Sequence, residues 1–250
     1  MYENRILMSN GSKVGVLHYD VIDSTNLEAK RQIKNGVNLP LVIVADTQTA
    51  GKGRMGRQFY SPDKTGLYMS FVYEPEIDFQ DSVTVTSAAA VAVVRAIEEL
   101  TDLNPKIKWV NDIYVDGKKV AGILTEAVTG ERTSIIVGIG VNITTTEFPY
   151  EIQQTATSLR RSVDKNDLLE CIVKHLVELI KGLPQRTFLT EYKEKSMVIG
   201  KEVCFIKDGV KKEGVAVDIN RDGGLIVKTV DGLETLSTGE ITLRVKKRCV

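Results

Sequence analysis

The sequence has no excess of charge of either sign. Lys and Arg number 33 and Asp and Glu number 33 in 250 residues, so the formal net charge is zero. This balance argues against a protein whose main role is to slide along DNA or to coat an anionic membrane, although a local basic site is compatible with it. Hydrophobic residues at 42% and charged residues at 26% are typical of a folded globular chain of one or two domains.

Long apolar runs are also missing. The longest, Ala88–Val94, ends at Arg95 and is far shorter than the roughly 20 residues of a membrane-spanning helix. The N-terminus carries Glu3 early and leads into no apolar segment of the kind found in secretory signals. The sequence therefore predicts a cytoplasmic protein.

Cysteine and histidine are scarce. Cys171, Cys204 and Cys249 form no C-x-x-C pair, which suits a reducing cytoplasm and argues against a disulfide framework or a zinc site. Cys171 and His175 are four residues apart, but no third ligand is evident nearby, so both are expected at core positions. His18 has no identifiable partner, and neither histidine lies near a nucleophile, so a Ser-His-Asp or Cys-His mechanism has no support.

Helical and strand patterns alternate up to about residue 196 and predict an α/β or α+β body. Its first helix starts at Thr25, which forms a capping box with Glu28, and stops at Gly36. Asp116 and Gly117 predict a type I′ turn between two strands. The other predicted elements are the strand 41–45, the helix 82–100, the strands 106–115, 119–128 and 135–143, and the helix 167–181.

From about residue 197 the pattern changes to short strands separated by Asp-Gly turns. Five short strands in about 50 residues predict a small β-barrel. The predicted domains are therefore a body over residues 1–196 and a barrel over residues 197–250.

A glycine-rich segment, Gly51–Arg57, carries three cations and reads G-x-G-x-x-G. A Rossmann site is disfavoured because that motif needs a following helix, whereas residues 58–63 are turn-like. A phosphate-binding P-loop also fails, since Asp46 and Gly53 stand where glycine and Ser/Thr are required. Two interpretations stay open: a flexible clamp for carboxylate and phosphate, or a hairpin tip with solvated charges.

A second segment, Lys108–Asp112, holds the only tryptophan, with a lysine, an amide and a carboxylate around it. An Asn-Asp pair in an otherwise apolar strand is costly unless it is functional or hydrogen-bonded. The alternative is a local bulge that exposes Asp112. Lys118 and Lys119, directly after the predicted turn, are solvated hairpin lysines when taken alone.

Taken together, these segments resemble the biotin protein ligase family, the biotin–acetyl-CoA-carboxylase ligases. The resemblance spans about residues 17–246. It is carried, in family order, by residues 24–26, Gln48 with 51–57, then 108–112, 119–124, 138–142 and 239–244. The G-x-G-R-x-G-R loop and the K-W-x-N-D segment are highly specific as a pair, although either alone would be a modest signal.

The resemblance implies both a fold and a reaction. The implied fold is α+β, a mixed β-sheet with helices packed on one face (the class II synthetase-like catalytic fold of biotin ligases), followed by an SH3-like β-barrel. In the implied reaction, the carboxylate of biotin attacks the α-phosphate of ATP and gives biotinyl-5′-AMP and pyrophosphate. A specific lysine on the biotin carboxyl carrier domain of a carboxylase then accepts the biotin. The expected substrates are biotin and ATP with Mg²⁺, and the expected partner is the carrier domain.

The resemblance also implies roles for individual residues. The implied catalytic residues are Lys52, Arg54, Lys108 and Lys119, and the implied Mg²⁺ ligand is Asp112. Biotin binding is implied for Ser24, Thr25, Asn26, Gln48, Gly51, Lys52, Gly53, Arg54, Trp109, Gly122, Gly138 and Gly140. ATP or adenylate binding is implied for Arg57, Phe59, Asn111, Lys119, Asn142 and Arg244. Positive charge suits a reaction that joins two anions, and glycine leaves room for a ligand.

Three residues depart from the family pattern. Lys52 replaces the usual arginine, which keeps the charge but loses the bidentate fork. Val110 replaces a usual proline and makes that turn less rigid. Phe59 stands where some members carry tryptophan, so stacking on adenine should be preserved. None of these changes removes a required charge.

Alternatives remain. A lipoate ligase or octanoyl transferase shares the catalytic fold, but the charged glycine loop and the small C-terminal barrel favour biotin. An inactive biotin or nucleotide sensor would not need Lys119, Arg54 and Asp112 together. Some family members carry an N-terminal helix-turn-helix domain; only 23 residues precede Ser24, so we expect a ligase that does not bind DNA. Homodimers occur in the family, and no feature of the sequence decides the oligomeric state.

Overall fold

The computed structural model describes residues 2–7, 13–75, 82–207, 209–237 and 244–245, with only the backbone for residues 2–7, 82, 244 and 245. Residues 239–243, which carry part of the family resemblance, lie outside the described residues. In the described part of the chain, no helix combines the length and the hydropathy that crossing a bilayer requires.

Four helices and thirteen strands are found in the described ranges. The helices are α1 (Thr25–Lys34), α2 (Ser82–Leu100), α3 (Lys165–Lys181) and α4 (Phe188–Glu194). The strands are β1 (Tyr2–Leu7), β2 (Lys13–Ile22), β3 (Leu41–Gln48), β4 (Gly66–Tyr73), β5 (Lys106–Lys108), β6 (Asp112–Val115), β7 (Lys118–Thr129), β8 (Thr133–Asn142), β9 (Glu202–Lys207), β10 (Val210–Ile219), β11 (Leu225–Thr229), β12 (Gly232–Leu236) and β13 (Arg244–Val245).

Eight strands form one mixed sheet in the order β1-β2-β3-β4-β8-β7-β6-β5. Strands β2 and β3 run parallel, because the chain crosses back through α1 between them. The other neighbouring pairs are antiparallel. The predicted mixed sheet is confirmed.

Strand alternation divides the side chains of this sheet between two faces. In β3, Val42 and Val44 join the large hydrophobic core, whereas Leu41 and Ile43 join a smaller cluster on the opposite face. Helices α2, α3 and α4 cover the large core. This agrees with the expected α+β fold, with three of the four described helices on one face. Helix α1 packs through Ala29 on the opposite face, which we call the α1 face.

Two local predictions are wrong. The expected strand 106–115 is interrupted after Lys108, and the chain turns back so that β5 pairs antiparallel with β6. The capping box at Thr25 does not form, because Ser24 is the N-cap and the Thr25 hydroxyl donates to Gln48 Oε1 instead. The predicted type I′ turn is confirmed, since Asp116 and Gly117 have φ values of 48° and 75°.

The second sheet is antiparallel and has the strand order β12-β11-β10-β9-β13, in agreement with the predicted small C-terminal β unit. Its buried side chains, Val203 and Phe205 among them, continue the large core of the body. The indole Nε1 of Trp109 donates to the carbonyl oxygen of Gly223 at 2.8 Å, which ties the two sheets together. The domain boundary at residues 196 and 197 stays a prediction.

The N-terminus of α3 provides a test of the fold. Asp164 is its N-cap, and the carboxylate accepts hydrogen bonds from the backbone N–H groups of Asn166 and Asp167. Asp164→Ala should therefore lower the free energy of unfolding by about 1 kcal/mol. Thr187→Ala is the matched control, because Thr187 is the N-cap of α4 and makes no side-chain cap. Equal urea denaturation midpoints for the two variants would contradict this account.

Candidate active site

A cleft lies on the α1 face beside the N-terminus of α1. It encloses about 450 Å³, much of which is open to solvent. The lining residues come from α1, the glycine-rich loop and the central strands: Ser24, Thr25, Asn26, Gln48, Lys52, Gly53, Arg54, Phe59, Met69, Asn111, Lys119, Gly122, Ile123, Leu124, Gly138, Ile139 and Gly140.

Three glycines form the floor of the cleft. Gly122 and Gly140 are directly paired across β7 and β8, so two neighbouring strands expose bare backbone at the same place. The Phe59 ring lies on this surface: a Cβ on Gly140 would be 2.6 Å from Phe59 Cζ. A side chain at Gly140 would displace the ring, and one at Gly122 would press on the ring and on Lys119. Glycine in a strand interior here marks a place where another group approaches the backbone closely.

One wall of the cleft is a hydrogen-bond network around the first turn of α1. Gln48 Oε1 accepts from the Thr25 backbone N–H at 2.8 Å and from its hydroxyl at 3.2 Å. The Gln48 amide donates to Ser61 Oγ at 2.9 Å. Ser70 Oγ lies 2.8 Å from Thr25 Oγ1 and 2.6 Å from Asn26 Oδ1. This wall offers oriented donors and acceptors in a largely buried setting.

The glycine-rich loop folds as a small hairpin beside the floor. Gly53 N–H donates to Arg57 O at 2.7 Å, and Phe59 N–H donates to Gly51 O at 2.9 Å. A short turn over Arg54–Gly56, in which Met55 has a φ of 56°, forms its tip. The sequence left two interpretations of this loop open, a clamp for anions and a hairpin tip with solvated charges. The loop is a hairpin, and Lys52, Gly53 and Arg54 of it line the cleft, so each interpretation is partly met.

Three of the lining residues are cations, Lys52, Arg54 and Lys119. Lys119 Nζ lies 2.7 Å from Asp112 Oδ1, and Arg54 Nη1 donates to Asn111 Oδ1 at 3.1 Å. Burial lowers the pKa of Arg54, although its guanidinium stays charged at neutral pH. A cluster of cations in a partly desolvated cleft binds anions strongly, because the local dielectric constant is low.

Several predicted site residues lie elsewhere. Trp109 is buried in the large core and donates to the second sheet, so it does not line the cleft. Lys108 lies over the Tyr114 ring, 5.5 Å from its centroid. Arg57 is exposed on the outer side of the loop. Arg244 lies in β13, and its side chain is outside what the structure describes.

Asn142 and Gly51 lie just behind the lining residues. Asn142 is buried at the end of β8 and donates to Thr157 O at 3.0 Å. Its Oδ1 has no hydrogen-bond partner among the described residues. Gly51 is buried against Phe59 O and Gln48 Nε2, where a Cβ would not fit.

Sequence reasoning missed two polar residues of the α1 face. Ser70 is fully buried in β4, between apolar neighbours, and is paired across the sheet with Gly138. Glu126 in β7 accepts hydrogen bonds from Asn26 Nδ2 at 2.8 Å and from Lys30 Nζ at 2.6 Å. Burial acts to raise the pKa of Glu126, but the bonds from Lys30 and Asn26 outweigh it and leave the pKa below its ordinary value. The available signal was a serine between apolar residues in β4 and a single carboxylate, next to Thr125, in β7.

Comparison with known proteins agrees with this fold. The model of the biotin/lipoate A/B protein ligase family matches residues 19–142, and the model of the biotin protein ligase C-terminal domain matches residues 198–244. The chain is 32% identical over 240 residues to the bifunctional ligase/repressor BirA of Bacillus subtilis, covering 91% of this chain and 74% of that protein. It is 27% identical to the biotin–[acetyl-CoA-carboxylase] ligase of Mycobacterium tuberculosis, covering 92% and 91%.

A solved structure has a similar fold. The biotin protein ligase of Aquifex aeolicus, determined in complex with biotin and ATP, superposes with a TM-score of 0.82 at 31% identity. The match covers 92% of this chain and 99% of that chain. The fold and the cationic, glycine-floored cleft thus define a protein of the biotin and lipoate ligase class. Within that class, the chain belongs to the biotin protein ligase family.

The glycine at 138 offers a test of the packing around the cleft. A Cβ there would lie 2.9 Å from Cγ of the buried Asn26, whose amide bonds both Ser70 and Glu126. Gly138→Ala should therefore destabilise the fold by about 1–3 kcal/mol. The control is Gly130→Ala in an exposed turn, where a Cβ would lie 3.6 Å from Arg132 O and the expected change is within about 0.5 kcal/mol. Chemical denaturation of both variants measures the difference, and equal losses would refute it.

Proposed function

We propose that this protein is a biotin–[acetyl-CoA-carboxylase] ligase. It activates biotin with ATP to biotinyl-5′-AMP and transfers the biotin to a lysine of a biotin carboxyl carrier domain. The observation that carries the proposal is the convergence of Lys52, Arg54 and Lys119 on one glycine-floored cleft. Its close structural relative was determined with biotin and ATP bound.

The first step joins two anions, and their repulsion is the obstacle. A biotin oxygen forms the new bond to the α-phosphorus as the bond to the β-phosphate oxygen breaks, and pyrophosphate leaves. Lys119, Arg54 and Lys52 neutralise the carboxylate and the α-phosphate and align them, which is how such a reaction is accelerated without a protein nucleophile. Lys119 acts as a compact point charge at the reacting atoms.

The polar wall receives the ureido ring of biotin. Thr25, Gln48 and Asn26 offer donors and acceptors to its N–H and C=O groups, with Ser70 holding them in place. The apolar part of biotin lies on the floor formed by Gly122, Gly138 and Gly140. Because the Phe59 ring covers part of this floor, it must swing aside when the ligand enters.

The nucleotide lies towards Asn111 and Asn142. The unpartnered Oδ1 of Asn142 is an acceptor for a donor group of the adenosine. The displaced Phe59 ring is available to stack on adenine. Arg57 and Arg244 stay predicted adenylate contacts. Trp109 is buried in the large core and Lys108 does not line the cleft, so we assign both supporting rather than contacting roles.

Asp112 suits a magnesium ion bound to the triphosphate. Mg²⁺ prefers oxygen ligands and is commonly held by one or two carboxylates together with substrate phosphates. Asp112 places one carboxylate at the cationic end of the cleft, 2.7 Å from Lys119, so its position and chemistry fit. When bound, the ion offsets phosphate charge and leaves Lys119 to the reacting groups.

In the second step, the partner lysine attacks the carbonyl carbon of the acyl-adenylate. A C–N bond forms, the C–O bond to AMP breaks, and the amine proton passes to solvent or to the phosphate. The partner is a biotin carboxyl carrier domain of acetyl-CoA carboxylase or a related enzyme. Homodimer formation stays a prediction.

The main competing function is activation of lipoate or octanoate. The polar wall argues against it, since the dithiolane ring of lipoate has no N–H or C=O group to pair with Thr25, Gln48 and Asn26. Lipoate would therefore gain no hydrogen bonds from this wall, whereas the ureido ring of biotin would.

Pyrophosphate release tests the proposed function. Purified protein with ATP and Mg²⁺ should release pyrophosphate with biotin and form a biotinylated carrier domain when that domain is added. Lipoate should support a rate lower by about 10²-fold, because it cannot make the two or three hydrogen bonds, each contributing about 1 kcal/mol, that the ureido ring of biotin makes to the polar wall. Comparable rates with lipoate would favour the competing function. Tight binding of biotin and ATP without pyrophosphate release would instead identify a sensor.

Lys119→Ala tests the charge-neutralisation mechanism. The single-turnover rate of adenylate formation should fall by about 10²–10³-fold, because a cation at the reacting groups is lost. Biotin affinity, measured by calorimetry, should stay nearly unchanged, since the polar wall is intact. Lys118→Ala is the matched control, because this neighbouring lysine does not line the cleft. An unaltered rate in Lys119→Ala would remove this residue from the mechanism.

A further inference from the structure

Away from the cleft, α2 and α3 bring together three side chains that can ligate a metal. Cys171 and His175 lie one turn apart on α3, and Glu99 faces them from the last turn of α2. The expectation that this pair lacks a third ligand is therefore wrong. A residue 72 positions earlier in the chain supplies it, which sequence spacing could not reveal.

The distances in this cluster match those of a metal site. Glu99 Oε2 is 3.0 Å from His175 Nε2 and 3.4 Å from Cys171 Sγ. The three ligand atoms all lie within 4.8 Å of one another. Bonds of about 2.0–2.3 Å in a tetrahedral site separate neighbouring ligand atoms by about 3.3–3.8 Å. Small side-chain rotations would thus place a metal ion between the three ligands.

The surroundings favour a cation and leave it open to water. The groove beside the cluster is lined by the carboxylates of Glu99, Asp167, Glu170 and Glu178 and by the amines of Lys174 and Lys181. Negative charge is therefore in excess. The side chains of His175 and Glu99 are 21% and 62% exposed, so a fourth position can be taken by solvent.

We infer that Glu99, Cys171 and His175 form a Zn²⁺ site that bridges α2 and α3. A thiolate, an imidazole and a carboxylate together suit zinc, whereas Mg²⁺ and Ca²⁺ select oxygen ligands alone. On binding, Cys171 Sγ bonds the ion and the thiol proton passes to solvent. The site lies on the core face of the sheet, opposite the cleft, and is independent of the Mg²⁺ proposed at Asp112.

Metal binding to the intact chain, without nucleotide, tests this inference. Titration with Zn²⁺ should show one saturable site per chain that excess Mg²⁺ does not displace. Titration with Co²⁺ should give a thiolate-to-metal charge-transfer band and visible bands of tetrahedral intensity. Cys171→Ser and His175→Gln should each weaken Zn²⁺ binding by more than about 100-fold, since even second-shell changes cost 10–100-fold.

Two matched controls separate this site from other thiols. Cys204→Ser and Cys249→Ser should keep the affinity and the Co²⁺ spectrum of the parent chain. Both readouts require only folded protein, and circular dichroism checks the folding of each variant. Glu99→Gln, at an exposed position of α2, is a third ligand variant that leaves the buried thiol in place, and it should also weaken Zn²⁺ binding. Equal affinity in the parent chain and in Cys171→Ser, or a Co²⁺ spectrum without the thiolate band, would overturn the inference.

Discussion

The ion pair between Lys119 and Asp112 is the interaction on which the charge arrangement of the cleft depends. Three cations would repel one another in a partly desolvated cleft if they had no partners. The carboxylate of Asp112 offsets the positive charge of Lys119, and the amide oxygen of Asn111 accepts a hydrogen bond from Arg54. Both partners lie where the chain turns back between β5 and β6. The interruption of the expected strand therefore supplies the partners of two cations that line the cleft, Lys119 and Arg54.

The second constraint is that other side chains lie directly against the backbone of the central strands, which requires glycine there. Gly122 and Gly140 face each other across two central strands, and Gly138 makes room for the Asn26 side chain. Glycine at three positions in the middle of the sheet means that fewer side chains pack on this face. The large core on the other face provides most of the apolar packing. There the buried residues of β8, α2 and α3 belong to one large core. One face of the sheet thus provides stability and the other provides the site.

Trp109 shows how the two sheets depend on each other. Its ring is buried in the large core, and its indole N–H is satisfied by the carbonyl oxygen of Gly223 in the second sheet. Because Trp109 directly precedes the turn that carries Asn111 and Asp112, the second sheet supports the position of these two residues. The inferred metal site at Glu99, Cys171 and His175 would similarly join α2 to α3 behind the sheet.

The sequence patterns by themselves determined the features that depend on neighbouring residues: an α/β or α+β body, the small C-terminal β unit, the type I′ turn and the cationic glycine loop. The mixed sheet and most of the lining residues were expected only through the resemblance to the biotin protein ligase family. Only the tertiary structure decided that Trp109 packs in the core, that Ser70 and Glu126 support Asn26 across 44 and 100 positions of chain, and that Glu99 meets Cys171. The reason is physical. Strand pairing and helix packing bring residues that are distant in the chain into contact, whereas local periodicity predicts only the element in which a residue lies and not its distant partners.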